Sequence, residues 1–173
     1  MHRKTVIAVV GSSGERAERN AYALGALIAS RGWVVLTGGR DSGVMAAAAA
    51  GAKDPELPAA GLTIGMLPNG HASVAPSIDI AIVTDVNEAR NNQIVMTGDV
   101  IVACGVDGLG TASEVALALR NDKHVVLLGA STDAVAFFER VMHDRSDQRM
   151  LVAVQSPEEA MMRIDDVLAG RAW

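Results

Sequence analysis

The sequence predicts an α/β fold, a three-layer sandwich around a mostly parallel, doubly wound sheet of about seven strands. Three observations predict it. Short β-branched runs alternate with helical patterns from one end of the chain to the other. These runs are almost wholly apolar, as strands covered on both faces should be. Aromatic residues are only 3% of a chain that is 50% apolar, so Val, Ile, Leu, Met and many Ala must build the core. Ala and Gly let helices lie close to a sheet.

The first strand is expected at residues 5–10 (Thr5-Val6-Ile7-Ala8-Val9-Val10), with Gly11-Ser12-Ser13-Gly14 turning it into a helix over residues 16–31. A second strand at residues 33–37 ends in Thr37-Gly38-Gly39-Arg40-Asp41-Ser42-Gly43 and leads into a helix over residues 43–52. Its run Met45-Ala46-Ala47-Ala48-Ala49-Ala50 suits close helix packing. Residues 53–60, with Pro55 and Pro58, are expected to be a loop, as are residues 68–76. Strands at 63–67 and 78–83 lie around that second loop, and a helix follows over 89–97. The fifth strand, at 100–103, runs through Gly105-Val106-Asp107-Gly108-Leu109-Gly110 into a helix over 112–121. Strands at 124–128 and 151–154 and helices at 133–143 and 157–169 complete the alternation. No linker, repeat or low-complexity tract divides the chain, and residues 1–173 are expected to form one domain burying about 70% of the unfolded surface.

Glycines cluster after the first, second and fifth strands, the edge where open α/β sheets bind ligands. A strand passing through a glycine loop into a helix points free N–H groups and the positive end of a helix dipole at one spot, which suits a phosphate. Glycine also simply closes tight turns, but Gly38-Gly39 and Gly108 with Gly110 are more glycine than a turn needs. The first loop, Gly11-Ser12-Ser13-Gly14-Glu15-Arg16, is not Gly-x-Gly-x-x-Gly, and no Gly-Lys-Ser/Thr occurs, so neither an ordinary NAD site nor a P-loop is supported.

Fifteen basic against twenty acidic residues give a net charge of −5, a poor match to the phosphate backbone of DNA or RNA. The lone Cys104 excludes an intrachain disulfide and a cysteine-based zinc site, and fits a reducing cytoplasm. At a strand end it reads as a small buried hydrophobe. The N-terminal residues enter a strand without a signal-peptide core, and no apolar stretch is long enough to span a membrane. A cytoplasmic location is therefore expected. His2, His71, His124 and His143 show no metal-ligand spacing, so no metal site is expected.

Taken in order, Gly38-Gly39, Gly43-Val44-Met45, Gly65-Met66-Leu67-Pro68, Ala89-Arg90-Asn91 and Gly108-Leu109-Gly110-Thr111-Ala112-Ser113-Glu114 resemble a Rossmann-like superfamily. It holds the Lonely Guy phosphoribohydrolases, once mislabelled lysine decarboxylases, and the molybdenum cofactor carrier proteins. The Arg-Asn pair and the Thr-x-Ser-Glu ending resemble the carrier branch more closely. Against the hydrolase motif Pro-Gly-Gly-x-Gly-Thr-x-x-Glu, Gly108, Gly110, Thr111 and Glu114 match, while Val106 and Asp107 replace Pro and Gly. Arg90 matches an upstream arginine, and Asn91 replaces a lysine. The resemblance implies binding of a nucleotide, a phosphate or molybdenum cofactor with no required cofactor of the protein's own. It also implies a homo-oligomer, dimer or tetramer. In the alternative, a nucleoside 5′-monophosphate phosphoribohydrolase, Glu114 and Arg90 would be the catalytic pair. Single-strand DNA binding, known among DNA-processing proteins of similar fold, is disfavoured by the charge.

The expected ligand-binding residues are Gly11, Ser12, Ser13, Gly38, Gly39, Arg90, Asn91, Asp107, Gly108, Leu109, Gly110 and Thr111. Arginine pairs its planar fork with phosphate or ribose hydroxyls, though in a first helical turn it is often only solvated. A carboxylate at Glu114 would stabilise an oxocarbenium-like ribose or activate water. Equally, Thr111-Ala112-Ser113-Glu114 has the form of a capping box, as do Ser12-Ser13-Gly14-Glu15 and Ser156-Pro157-Glu158-Glu159. Asp107 either repels a phosphate or, tolerating the left-handed conformation, stands in for glycine and points away.

Overall fold

A computed structural model describes residues 3–142 and 150–170. Seven parallel strands form one sheet in the order β4-β3-β2-β1-β5-β6-β7. They are β1 (Val6–Gly11), β2 (Val34–Thr37), β3 (Leu62–Leu67), β4 (Ile80–Val83), β5 (Val100–Cys104), β6 (Val125–Leu128) and β7 (Leu151–Val154). The helices are α1 (Glu15–Ser30), α2 (Gly43–Gly51), α3 (Arg90–Thr97), α4 (Leu109–Arg120), α5 (Thr132–Val141) and α6 (Pro157–Leu168). This is the expected doubly wound α/β architecture. The expected helix end at His143, like His2, lies outside the described residues.

Each face of the sheet carries its own core. On one side α1, α2 and α6 set Leu24, Ile28, Ala48 and Ile164 on Ile7, Val9 and Val102. On the other, α3, α4 and α5 set Ile94, Val115 and Phe138 on Ala8, Ile101 and Leu127. Cys104 lies in the first core and is fully buried, and burial pushes its thiol up to about 12, so it packs as a small hydrophobe.

The alanine run of α2 does bring helices together. A β-carbon on Gly25 of α1 would stand 2.1 Å from the Ala48 carbonyl oxygen, and one on Gly51 would stand 1.9 Å from that of Tyr22. Alanine normally gains up to ~1 kcal/mol over glycine in a helix. Here Gly25→Ala or Gly51→Ala must push two helices apart, and each is expected to lose about 1–3 kcal/mol instead. A thermal melt checks the sign; a raised Tm would contradict the packing.

Two elements depart from expectation. All four residues of β4 are exposed, although its sequence is as apolar as that of a central strand. It is an edge strand, and the chain leaves it through a short 3₁₀ turn (Asn87–Ala89) instead of a helix packed back on it. α4 begins at Leu109, three residues before the expected start, because Gly108 already holds the extended backbone of an N-cap (φ −146°, ψ 157°).

The strand order turns around at β1, which pairs with β2 on one side and β5 on the other. From β1 the chain passes to α1 on one face, and from β5 to α4 on the opposite face. Their loops diverge and leave a crevice at the carboxyl end of the sheet, where such folds take ligands.

Candidate functional site

The crevice is a cavity of about 410 Å³. Gly11 at the end of β1 and Ser12 and Ser13 in the loop after it line the cavity, with Gly38 from the loop after β2, Asp107 and Gly108 from the loop after β5, and Gly110 and Thr111 from the first turn of α4. Ser12 laces two of these loops together: its hydroxyl accepts from the Asp107 N–H at 2.9 Å and lies 3.4 Å from the Thr111 hydroxyl. The Thr37 hydroxyl accepts from the Gly39 N–H at 3.0 Å, closing the turn after β2. Gly108 is the N-cap of α4, so the helix begins at the cavity and its first-turn N–H groups have no partner within the helix.

Arg90 lines the same cavity. It is only 4% exposed, far from the solvated side chain that a first helical turn usually carries. Its guanidinium lies on Gly38, where a β-carbon would be 3.5 Å from Nη2. Nη1 donates to the Asn91 side-chain oxygen at 2.7 Å, and the Glu88 carboxylate is 3.9 Å away. Nε is buried with no hydrogen-bond partner. A buried donor left unpaired costs about 1–3 kcal/mol, or more when charged, so Arg90 is held here at an energetic cost. Asn91, 5% exposed, is held in turn by the Ser113 hydroxyl at 3.4 Å.

Glu114 completes the cavity wall and is 8% exposed. The capping-box explanation fails for it, since α4 starts at Leu109 and Glu114 lies in its second turn, out of reach of the N-cap N–H. Burial pushes its carboxyl up to about 7; Arg90 opposes that rise and Glu88 adds to it. Ser12-Ser13-Gly14-Glu15 is not a capping box either: α1 is capped at Gly14, whose N–H donates to Glu18, which leaves Ser12 free for the site. Ser156 does cap α6, accepting from the Glu159 N–H at 3.2 Å while Glu159 accepts from the Gln155 N–H at 2.9 Å.

Asp107 does not occupy the left-handed region; Gly105 does, with φ 70°. The Asp107 carboxylate folds toward Gly105, with one oxygen 3.2 Å from where a Gly105 β-carbon would stand. It borders both the main cavity and a smaller one of about 230 Å³ beside Ser13 and Gly129.

Two expected residues stand apart from the cavity. Gly39 is buried behind it against Gly65, at φ 72°, and Leu109 points outward at 91% exposure. Val10, Arg40, Met45 and Glu88 line the cavity without having been anticipated. Arg40 carried a signal, a cation directly after Gly38-Gly39, and so did Glu88, two residues before Arg90. Val10 and Met45 carried none.

The family model described as SLOG cluster4 family matches residues 4–161. An uncharacterized protein of Archaeoglobus fulgidus is 41% identical over 118 residues, covering 68% of this chain and 74% of its own length. Among solved structures, the molybdenum cofactor binding protein from the phototrophic bacterium Rippkaea orientalis is 44% identical with a TM-score of 0.86, over 97% of this chain and 99% of that one. The molybdenum cofactor carrier protein of Chlamydomonas reinhardtii is 38% identical, also with a TM-score of 0.86, over 96% and 99%.

Proposed function

The chain belongs to the SLOG cluster4 family, and on that premise we propose that it binds a phosphorylated pterin of the molybdenum cofactor type as cargo, in the cleft between β1 and β5. The observation that carries the proposal is Arg90, buried and unpaired at Nε, in the wall of a cavity that three glycine-containing loops also line. The phosphate sits against the N–H groups of the loops after β1 and β5 and the first turn of α4, where the helix dipole adds to their pull. Arg90 closes on it with a charge-assisted bond. Likeness to carrier proteins at 38–44% identity along nearly their whole length supports cargo binding over turnover.

Glu114 favours a second reading, an N-glycosidic hydrolase acting on nucleoside 5′-monophosphates. A buried carboxyl with its pKa near neutrality, released from capping, suits a general acid or base. One experiment separates the two. The purified protein is incubated with molybdenum cofactor and, separately, with AMP; native mass spectrometry follows bound mass, and chromatography follows free adenine. Retained cofactor without adenine release is expected. Adenine and ribose 5-phosphate appearing over repeated turnovers, lost in Glu114→Ala, would establish the hydrolase instead.

We also read the protein as a homo-oligomer. Ile80, Ile82, Val83 and Val86 expose an apolar edge at and after β4, which suits burial against another copy.

A further inference from the structure

We propose that the cleft is one half of a longer site, and that its ligand is of dinucleotide type. A phosphorylated ring occupies the first half and is joined through a pyrophosphate to a nucleoside in the second. The proposal rests on the phosphate-ligand reading above and extends it. A second cavity, of about 460 Å³, opens beside the first, and the two share Arg40 and Glu88 as a common wall. Each alone is the size of a site for one small molecule, and only together do they match a ligand with two ring-bearing halves.

The second cavity has a built frame. On one side, residues 73–75 are stitched to the loop after β2: Arg40 bridges Val74, the Asp41 N–H donates to the Ser73 carbonyl and the Ala75 N–H to the Gly39 carbonyl, both at 3.0 Å. On the other, the Asn87 N–H donates to the Pro68 carbonyl at 3.0 Å, with Asn87 held at φ 50°. The Asn69 side chain accepts from the His71 N–H at 3.0 Å and closes the far end.

The lining chemistry is that of a nucleoside site. Asn69, His71, Ser42 and Ser73 present donors and acceptors for base edges and ribose hydroxyls. At the junction, the Arg40 guanidinium makes no side-chain hydrogen bond or ion pair with the described residues, and a phosphate crossing between the halves passes beside it. Glu88 accepts from a ribose hydroxyl there, the part that a carboxylate plays in dinucleotide sites.

Flavins test this, because the isoalloxazine ring contains a pteridine: FMN carries one phosphate, and FAD adds a pyrophosphate-linked adenosine. Titration calorimetry on the full chain is expected to show FAD binding at least tenfold tighter than FMN. Ala72→Phe fills only the second cavity; it is expected to erase that gain and leave FMN affinity within about twofold. His71→Ala, a truncation at an exposed position, is expected to weaken FAD several-fold and FMN not at all. FAD binding no tighter than FMN, or either variant weakening both ligands equally, overturns the extended site. If FMN binds and the FAD gain is absent, the extension alone falls. If neither flavin binds, the extended site falls, and retention of molybdenum cofactor in the native mass spectrum decides the phosphate reading separately.

Discussion

Arg90→Met is expected to weaken binding of a phosphate-bearing ligand about thirtyfold or more while leaving the unliganded fold as stable as before, or more so. The guanidinium is 4% exposed, and its Nε has no partner. Such a group contributes little to folding, because its desolvation offsets what its bond to Asn91 returns. Methionine fills the same volume without the charge. Against a bound phosphate the balance reverses, since removing one partner of a desolvated, charge-assisted hydrogen bond in a binding site costs about 2–5 kcal/mol, roughly 30- to 5,000-fold. Arg90→Lys should recover only part of the affinity, because an ammonium cannot present Nε and Nη donors as a planar fork. Calorimetric titration paired with a thermal melt checks both halves. A large drop in Tm with affinity unchanged would make Arg90 a structural residue and remove the main support for the site.

Glu114→Gln is expected to stabilise the protein above neutral pH, and the gain should vanish in acid. The folded-state pKa is raised from 4.5 to about 7, chiefly by burial. Between those values the folded protein holds a proton that the unfolded chain has released, so stability falls as pH rises. The protonated group's contribution is fully present below pH 4.5 and is lost as pH passes through about 7. The shift corresponds to about 3 kcal/mol. Glutamine does not titrate, so its advantage should grow from near zero at the acid end to roughly that size at pH 8, or about 6–12 °C in Tm for a chain of this length. Removing a charge beside the phosphate should also tighten ligand binding at pH 8 more than at pH 6. Parallel melts of the two proteins across the pH range decide it; a constant offset would show that Glu114 does not titrate in that window.

Glu114 lies in the cavity wall, and it was the residue least legible beforehand. The two explanations of Glu114 turned on where α4 begins. Read as letters, Thr111-Ala112-Ser113-Glu114 and Ser156-Pro157-Glu158-Glu159 have the same form. Only the second caps its helix. In the first, Gly108 admits the helical turn earlier, and Glu114 passes from the helix end to the cavity wall. Arg90 was legible as a residue type, but its burial was not, because burial follows from Gly38 and Met45 approaching it from a distant loop and helix.

By itself, the sequence determined the architecture and its strand-end loops. Apolar runs, helical periodicity and glycine placement are local signals, and a right-handed parallel alternation leaves few other ways to bury them. It also determined that Gly11, Gly38 and Gly108 stand at ends of strands sharing one sheet edge. Tertiary structure alone decided which residues face the cavity. It turned Leu109 to solvent and Gly39 behind the wall, and it brought in Arg40 and Glu88. The same holds for β4, whose run reads like a central strand until its position at the sheet edge leaves it uncovered. Which way a side chain points at a strand-to-helix junction depends on where the backbone enters the helix and on what packs from the other side of the fold. Neither is encoded within a few residues of the side chain itself.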